Sequence, residues 1–381
     1  MLHPPLKGEG RIAAGDPGRG HLSSSRGTQT PTRRAARVDL PLSGGGNHLA
    51  LGLALAITLL TPAFAENLPR TPESPTQIEI RAKPITAFSP REPDRVRFGA
   101  LTFRGGLDLT SSYAEFGGIS AIRVEADGSG FLAVSDKGRW LRGRIVYEGE
   151  RPTAIADAEM APVLGPDGRP LAARGWFDTE SLAIDGGTAW LGIERVNRIV
   201  RLDYGKHGLA AHAQPIVMPP GVDKLPYNQG LECLVFAAEG LPLGGTLIGV
   251  SERGLDADGN LKGWLIGGPS PGEFSVKRIG DFDVSDCAVT PRGDLLLLER
   301  SFSRWRGVGL RIRRVPLNDV KPGATIDGPV LIEADMSYQI DNMEGLSVHR
   351  AADGSLVLTL ISDDNFSLLQ RTLLLQFTLA E

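Results

Sequence analysis

Two columns of charged residues recur five times along this chain, and carboxylates dominate both. The first column reads Gly117-Gly118-Ile119, Glu180-Ser181-Leu182, Glu232-Cys233-Leu234, Asp286-Cys287-Ala288 and Glu344-Gly345-Leu346. The second reads Asp136-Lys137, Glu194-Arg195, Glu252-Arg253, Glu299-Arg300 and Asp363-Asp364. Successive first-column copies lie 63, 52, 54 and 58 residues apart (117 to 180 to 232 to 286 to 344). Carboxylates gathered from several copies are the hard oxygen ligands that Ca²⁺ takes, about six to eight at a time. A cation held there polarises a phosphoryl oxygen and activates a water. The adjacent bases bind phosphate oxygens, arginine as a fork. On this reading Glu180, Glu232, Glu344 and Asp136 are the catalytic candidates. Asp136, Glu180, Glu232, Asp286, Glu344, Asp363 and Asp364 are the metal-ligand candidates, with Ca²⁺ the expected cofactor. Lys137, Arg195, Arg253 and Arg300 are the substrate-binding candidates, and the expected partner is a small anionic, phosphorylated molecule.

Other readings of the same residues stand beside this one. Adjacent acids and bases in every copy also build a ring of salt bridges with no open metal site, since charge clusters mark structure as well as catalysis. A charged face without a distinct nucleophile also suits a binding protein with no turnover. A serine esterase fits poorly, because no Gly-x-Ser-x-Gly elbow occurs. Ser120, Ser251 and Ser301 lie in the repeats but read as strand ends. After residue 65 only His207, His212 and His349 remain as bases. Asp256-Ala257-Asp258-Gly259-Asn260 looks like part of a calcium loop but lacks the distal Glu, so it reads as a hairpin turn.

The elements that must position these residues are short strands. Turn signals recur at 126–130, 166–168, 256–260, 291–294 and 353–355, each with an Asp and a Gly. The chain holds 48 glycines, which fits an all-β protein with many tight turns. The first copy reads as four strands, at 119–124, 131–135, 140–147 and 155–163. A repeat of this length with a polar residue at a fixed place predicts a closed β-propeller with a charged centre. Five four-stranded blades are expected, a degenerate sixth being the alternative. The last copy runs out of chain at three strands. The segment 97–103 is expected to close the ring as a strand of that last blade. Cys233 and Cys287, the two cysteines, occupy equivalent places in neighbouring copies; they read either as a disulfide or as two small residues in a crowded column.

Several segments in order resemble one family. They are Phe116-Gly117-Gly118-Ile119-Ser120, Ala133-Val134-Ser135-Asp136-Lys137-Gly138-Arg139-Trp140, Asp178-Thr179-Glu180-Ser181-Leu182, Asn228-Gln229-Gly230-Leu231-Glu232, Gly249-Val250-Ser251-Glu252-Arg253-Gly254, Leu298-Glu299-Arg300-Ser301-Phe302 and Asn342-Met343-Glu344-Gly345-Leu346. The resemblance is to the bacterial phytase-like proteins, the "esterase-like activity of phytase" family, over about residues 97–381. It implies an exported β-propeller with phosphoester or ester hydrolase activity.

The first 65 residues differ from the rest. Residues 1–46 are rich in Gly, Pro, Ser and Arg and read as disordered or as a mis-annotated leader. Residues 47–65 read as a signal peptide: 49–64 are uncharged and mostly apolar, and Ala63-Phe64-Ala65 is a small-x-small cleavage pattern. Cleavage after Ala65 would leave no membrane span and a periplasmic or secreted protein. Arg33-Arg34 stands too far from the apolar run for a good twin-arginine signal. Residues 66–95 read as a Pro-rich linker and 96–381 as the propeller domain. The chain after Ala65 carries 34 basic and 42 acidic residues, a net charge near −8. That balance argues against nucleic acid as a partner.

Overall fold

The computed structural model describes residues 74–380, apart from Asn228. The expected leader at 1–46 and signal at 47–65 lie outside the described residues. Within them five sheets follow one another along the chain, antiparallel except where Thr325–Ile326 joins the edge strand Gly272–Val276 in parallel. Their innermost strands are Ile119–Val124, Thr179–Asp185, Leu231–Ala237, Asp283–Val289 and Asn342–Arg350. Each innermost strand touches the next, and the fifth touches the first. The sheets are therefore five blades of a closed propeller, with the innermost strands lining the axis. Among the described residues no helix is long and apolar enough to cross a membrane.

The turns expected from Asp and Gly are built by those residues. In blade one the Asp127 carboxylate accepts hydrogen bonds from the Ser129 N–H at 2.8 Å and the Ser129 hydroxyl at 2.9 Å. Gly128 follows with φ of 77°, a conformation that excludes most side chains. Asp353 and Ser355 repeat the device in blade five. Asp256 does so at the calcium-like loop, where its carboxylate accepts from Asp258 N, Asn260 N and the Ser275 hydroxyl, which makes it a turn.

Five hydrophobic clusters fill the five spaces between neighbouring blades. One joins Val134 and Trp140 of blade one to Leu182 and Leu191 of blade two. Another joins Leu298 and Ile312 of blade four to Leu358 and Phe377 of blade five. Each blade is thus stabilised by burial against two neighbours. Cys233 and Cys287 form a disulfide between the inner strands of blades three and four, with their Cα atoms 5.2 Å apart.

The ring closes as expected, with two corrections to the boundaries. The closing strand is Leu101–Thr110, not 97–103, and it pairs with the last strand, Thr372–Leu379. Arg97–Phe98 folds back on it instead. The segment expected as a Pro-rich linker is structured over its described part. Thr76–Gln77 joins the outer edge of blade one and Arg81–Ile85 the outer edge of blade five. Phe88 is fully buried among Phe98, Phe103, Tyr338 and Phe377.

Candidate active site

Every inner strand contains one extra residue. In each blade the pairing with the second strand skips one position, a β-bulge, and the skipped residues are Ser120, Glu180, Glu232, Ser285 and Glu344. Bulges bend a strand and re-aim a side chain, and they gather beside active sites. Two residues before each bulge the inner strand faces the second acidic column. Those partners are Gly118 with Asp136, Asp178 with Glu194, Gly230 with Glu252, Asp283 with Arg300 and Asn342 with Asp363.

This register corrects both columns in blade four by one residue. Ser285, not Asp286, holds the bulge, and Arg300, not Glu299, holds the second-column place. In blade one the bulge residue is Ser120 rather than Gly117. The mouth of the propeller therefore gathers Asp136, Glu180, Glu194, Glu232, Glu252, Glu344 and Asp363 around one arginine. Cys233 is the residue after its bulge and Cys287 the second after its own, so the disulfide joins neighbouring rather than equivalent positions.

Arg300 lies among the acids. Its guanidinium meets Glu344 at 2.8 Å and Glu252 at 3.1 Å, and donates to the Asn342 side-chain oxygen at 2.7 Å. Its Nε is buried with no acceptor among the described residues. Asn342 also donates to Glu344 at 2.7 Å. Glu194, Glu232 and Glu252 each offer an oxygen within 4.8 Å of the other two. Glu194 accepts from Gly230 N at 2.6 Å. Glu232 is 4% exposed, and no described residue donates a hydrogen bond to it. Asp136 Oδ1 is buried and likewise lacks a donor among the described residues.

Burial and mutual repulsion hold protons on this ring. Burial first, then the Asp363 charge, pushes Asp136 up to about 7. Burial, opposed by the Gly230 N–H, leaves Glu194 at about 7. Burial also raises Glu180, Glu232, Glu344 and Asp363, with neighbouring carboxylates adding to each. The same acids hold the Arg300 guanidinium firmly charged against the cost of burial. Like charges this close cannot all ionise without a counter-charge.

The remaining predicted residues lie outside the ring. Asp286 is fully buried and clamped by both Arg123 nitrogens, at 2.8 and 2.9 Å. It also accepts from Leu346 N and Cys287 N, so its oxygens are occupied and it is not free to bind a metal. Asp364 accepts from Gly118 N, Phe366 N and the Thr372 hydroxyl, and braces the seam between blades five and one. Lys137 turns to the Phe366 ring, 3.0 Å from its centroid. The Arg195 guanidinium carbon lies 4.7 Å from the Phe177 ring centroid and 4.8 Å from that of Tyr227. Arg253 pairs with Asp283 of blade four, a carboxylate it shares with Arg278. His349 lies against Gly128 at the turns of the opposite end, where burial pushes it down to about 4.

Arg123 is the residue that motif reading missed. From blade one it reaches across the axis to carbonyls of Leu234, Leu346 and Cys287, in blades three, five and four. It thereby spans the channel on the side away from the acids. The signal was present: it is the one charge in an otherwise apolar or small inner strand, Ile119–Val124.

A five-bladed propeller with a buried carboxylate ring at one mouth is the class that fold and site define. The chain belongs to the phytase-like family: the family model described as "Esterase-like activity of phytase" matches residues 114–366. Among solved structures, the nidogen/laminin complex is similar at 13% identity and TM-score 0.35, covering 69% of this chain and 87% of that one. The Myxococcus xanthus glutaminyl cyclase is similar at 11% identity and TM-score 0.35, covering 69% and 97%. No curated protein matches.

Proposed function

We propose that this protein hydrolyses anionic esters, phosphoesters first, with a divalent cation held by the carboxylate ring. The observation that carries the reading is the trio Glu194, Glu232 and Glu252, whose oxygens converge within 4.8 Å. An all-oxygen donor set suits Ca²⁺ better than softer metals. Such a cation, when bound, would polarise the ester and lower the pKa of a water. The protein's own residues supply the rest. Asp136, poised at about 7, exchanges a proton at neutral pH through its unpaired Oδ1. Arg300 fixes Glu252 and Glu344 and offsets part of the ring's charge. Arg195, held beside the Phe177 and Tyr227 rings, offers its N–H groups to an incoming anion. The Cys233–Cys287 disulfide supports export to an oxidising compartment, the periplasm or beyond, through the expected signal at 47–65.

A second reading has its own observation. Arg300 ties blade four to Glu252 of blade three and Glu344 of blade five, which is a structural bridge between blades. The two readings separate in one experiment. Protein stripped with EDTA is titrated with Ca²⁺ by calorimetry, then assayed for phosphate release from phytate and an aryl phosphate. Calcium-stimulated release that disappears in Glu232→Gln supports hydrolysis. Calcium binding without release leaves a binding protein, and no calcium binding leaves a structural ring.

A further inference from the structure

The mouth that carries the acids also carries the molecule's exposed apolar side chains. The loops on this face are the hairpins between second and third strands and the connections between blades. Eight of the ten exposed large hydrophobic residues among the described residues lie in these loops or at the strand ends leading into them, and only Val96 and Val330 lie elsewhere. The concentration is sharpest on the adjacent blades four and five. Phe302, near the end of Asp294–Ser303, is 73% exposed, and Trp305, in the turn before Gly307–Pro316, is 97% exposed. Leu368 and Leu369 are about fully exposed, at 104% and 94%, in the loop after Leu356–Asp363. A soluble surface seldom leaves such residues grouped unless they meet something.

Their neighbours say what they meet. Arg304 and Arg306 flank Trp305, both exposed, and Arg306 has only a loose pair with Asp281 at 3.6 Å. Tryptophan, phenylalanine and leucine at loop tips with arginines beside them match the boundary of an anionic bilayer, apolar just below and negative at the surface.

We infer that the acid-bearing face docks on an anionic lipid surface through Phe302, Trp305, Leu368 and Leu369, with Arg304 and Arg306 meeting the headgroups. The mouth then opens toward the bilayer surface. This inference is independent of the hydrolase reading and stands whether or not the ring turns over a substrate.

The test is cosedimentation of the full chain with vesicles of phosphatidylglycerol and phosphatidylcholine, and with phosphatidylcholine alone. Binding to the anionic vesicles is expected, weakened by 0.5 M salt, with a blue shift in tryptophan fluorescence that Trp305→Phe removes. The quadruple variant Phe302→Ser, Trp305→Ser, Leu368→Ser, Leu369→Ser should lose at least about tenfold in affinity, since each apolar group inserted contributes to binding. Its thermal melt should match the parent, because these side chains are exposed. Arg304→Glu with Arg306→Glu should lose selectivity for the anionic vesicles. Binding that is absent, or equal in the parent and the quadruple variant, overturns the inference. Equal binding would place the contact in the apolar run at 49–64.

Discussion

Arg123 and Arg300 both neutralise buried carboxylates, but to different ends. Arg123 satisfies Asp286 with two hydrogen bonds and leaves no open coordination. Arg300 serves a ring that still holds unpaired acids. Removing one member of a buried pair leaves the other charged and uncompensated, which costs about 3–5 kcal/mol. Asp286→Asn should therefore lower stability by about that amount in urea denaturation, with calcium affinity unchanged. Glu232→Gln should do the reverse. It should lower calcium affinity at least about tenfold, as ligand-sphere changes do, while raising the melting temperature in EDTA at neutral pH, because a carboxyl that must take up a proton to be buried is replaced by a neutral amide. The carboxylate chemistry at the mouth was legible in residue types alone. Asp286 was not separable from the ring, because its partner comes from another blade 163 residues away.

The bulge is the element that turns five similar strands into one site. It also explains the one-residue error in blade four. A strand with an inserted residue shows the same residue types as one without, and only the pairing reveals which residue is extra. The five-blade count, by contrast, needed only the repeat length and the turn chemistry. Close packing at the blade five–blade one seam sets a further constraint. Gly118 has φ of 60°, and a Cβ there would meet Asp136 Oδ1 at 2.3 Å and Phe366 at 2.4 Å. Gly118→Ala should cost about 1–3 kcal/mol, the usual strain of a forced left-handed residue, and should shift Asp136 out of place. Denaturant midpoints and the pH profile of any activity would show both. The disulfide between blades three and four closes a loop of sequence separation 54. Replacing both cysteines with serine should lower stability by about 4 kcal/mol on the chain-entropy account, read as a drop in melting temperature.

At the scale of the whole molecule the acid ring sets a pH dependence. Folding raises Asp136 and Glu194 to about 7, so between pH 4 and 7 the folded protein holds protons that the unfolded chain has released. Stability from these groups is therefore full at low pH and falls as pH rises through about 7. In EDTA the melting temperature should drop from pH 5 to pH 8 by at least about 2–4 °C, the response of a chain this size to one kcal/mol. Differential scanning at several pH values checks it, and a flat profile would contradict the buried charge. The closing strand has a consequence for how the chain is made. Leu101 pairs with Leu379, so the sheet that seals the ring unites strands far apart in the sequence. A growing chain cannot complete that sheet until residues 372–379 leave the ribosome, and such distant contacts form slowly. Any product that stops before residue 372 leaves blade five with a bare edge, open to proteases and to other chains. The seam thus acts as a proof that synthesis has passed residue 379.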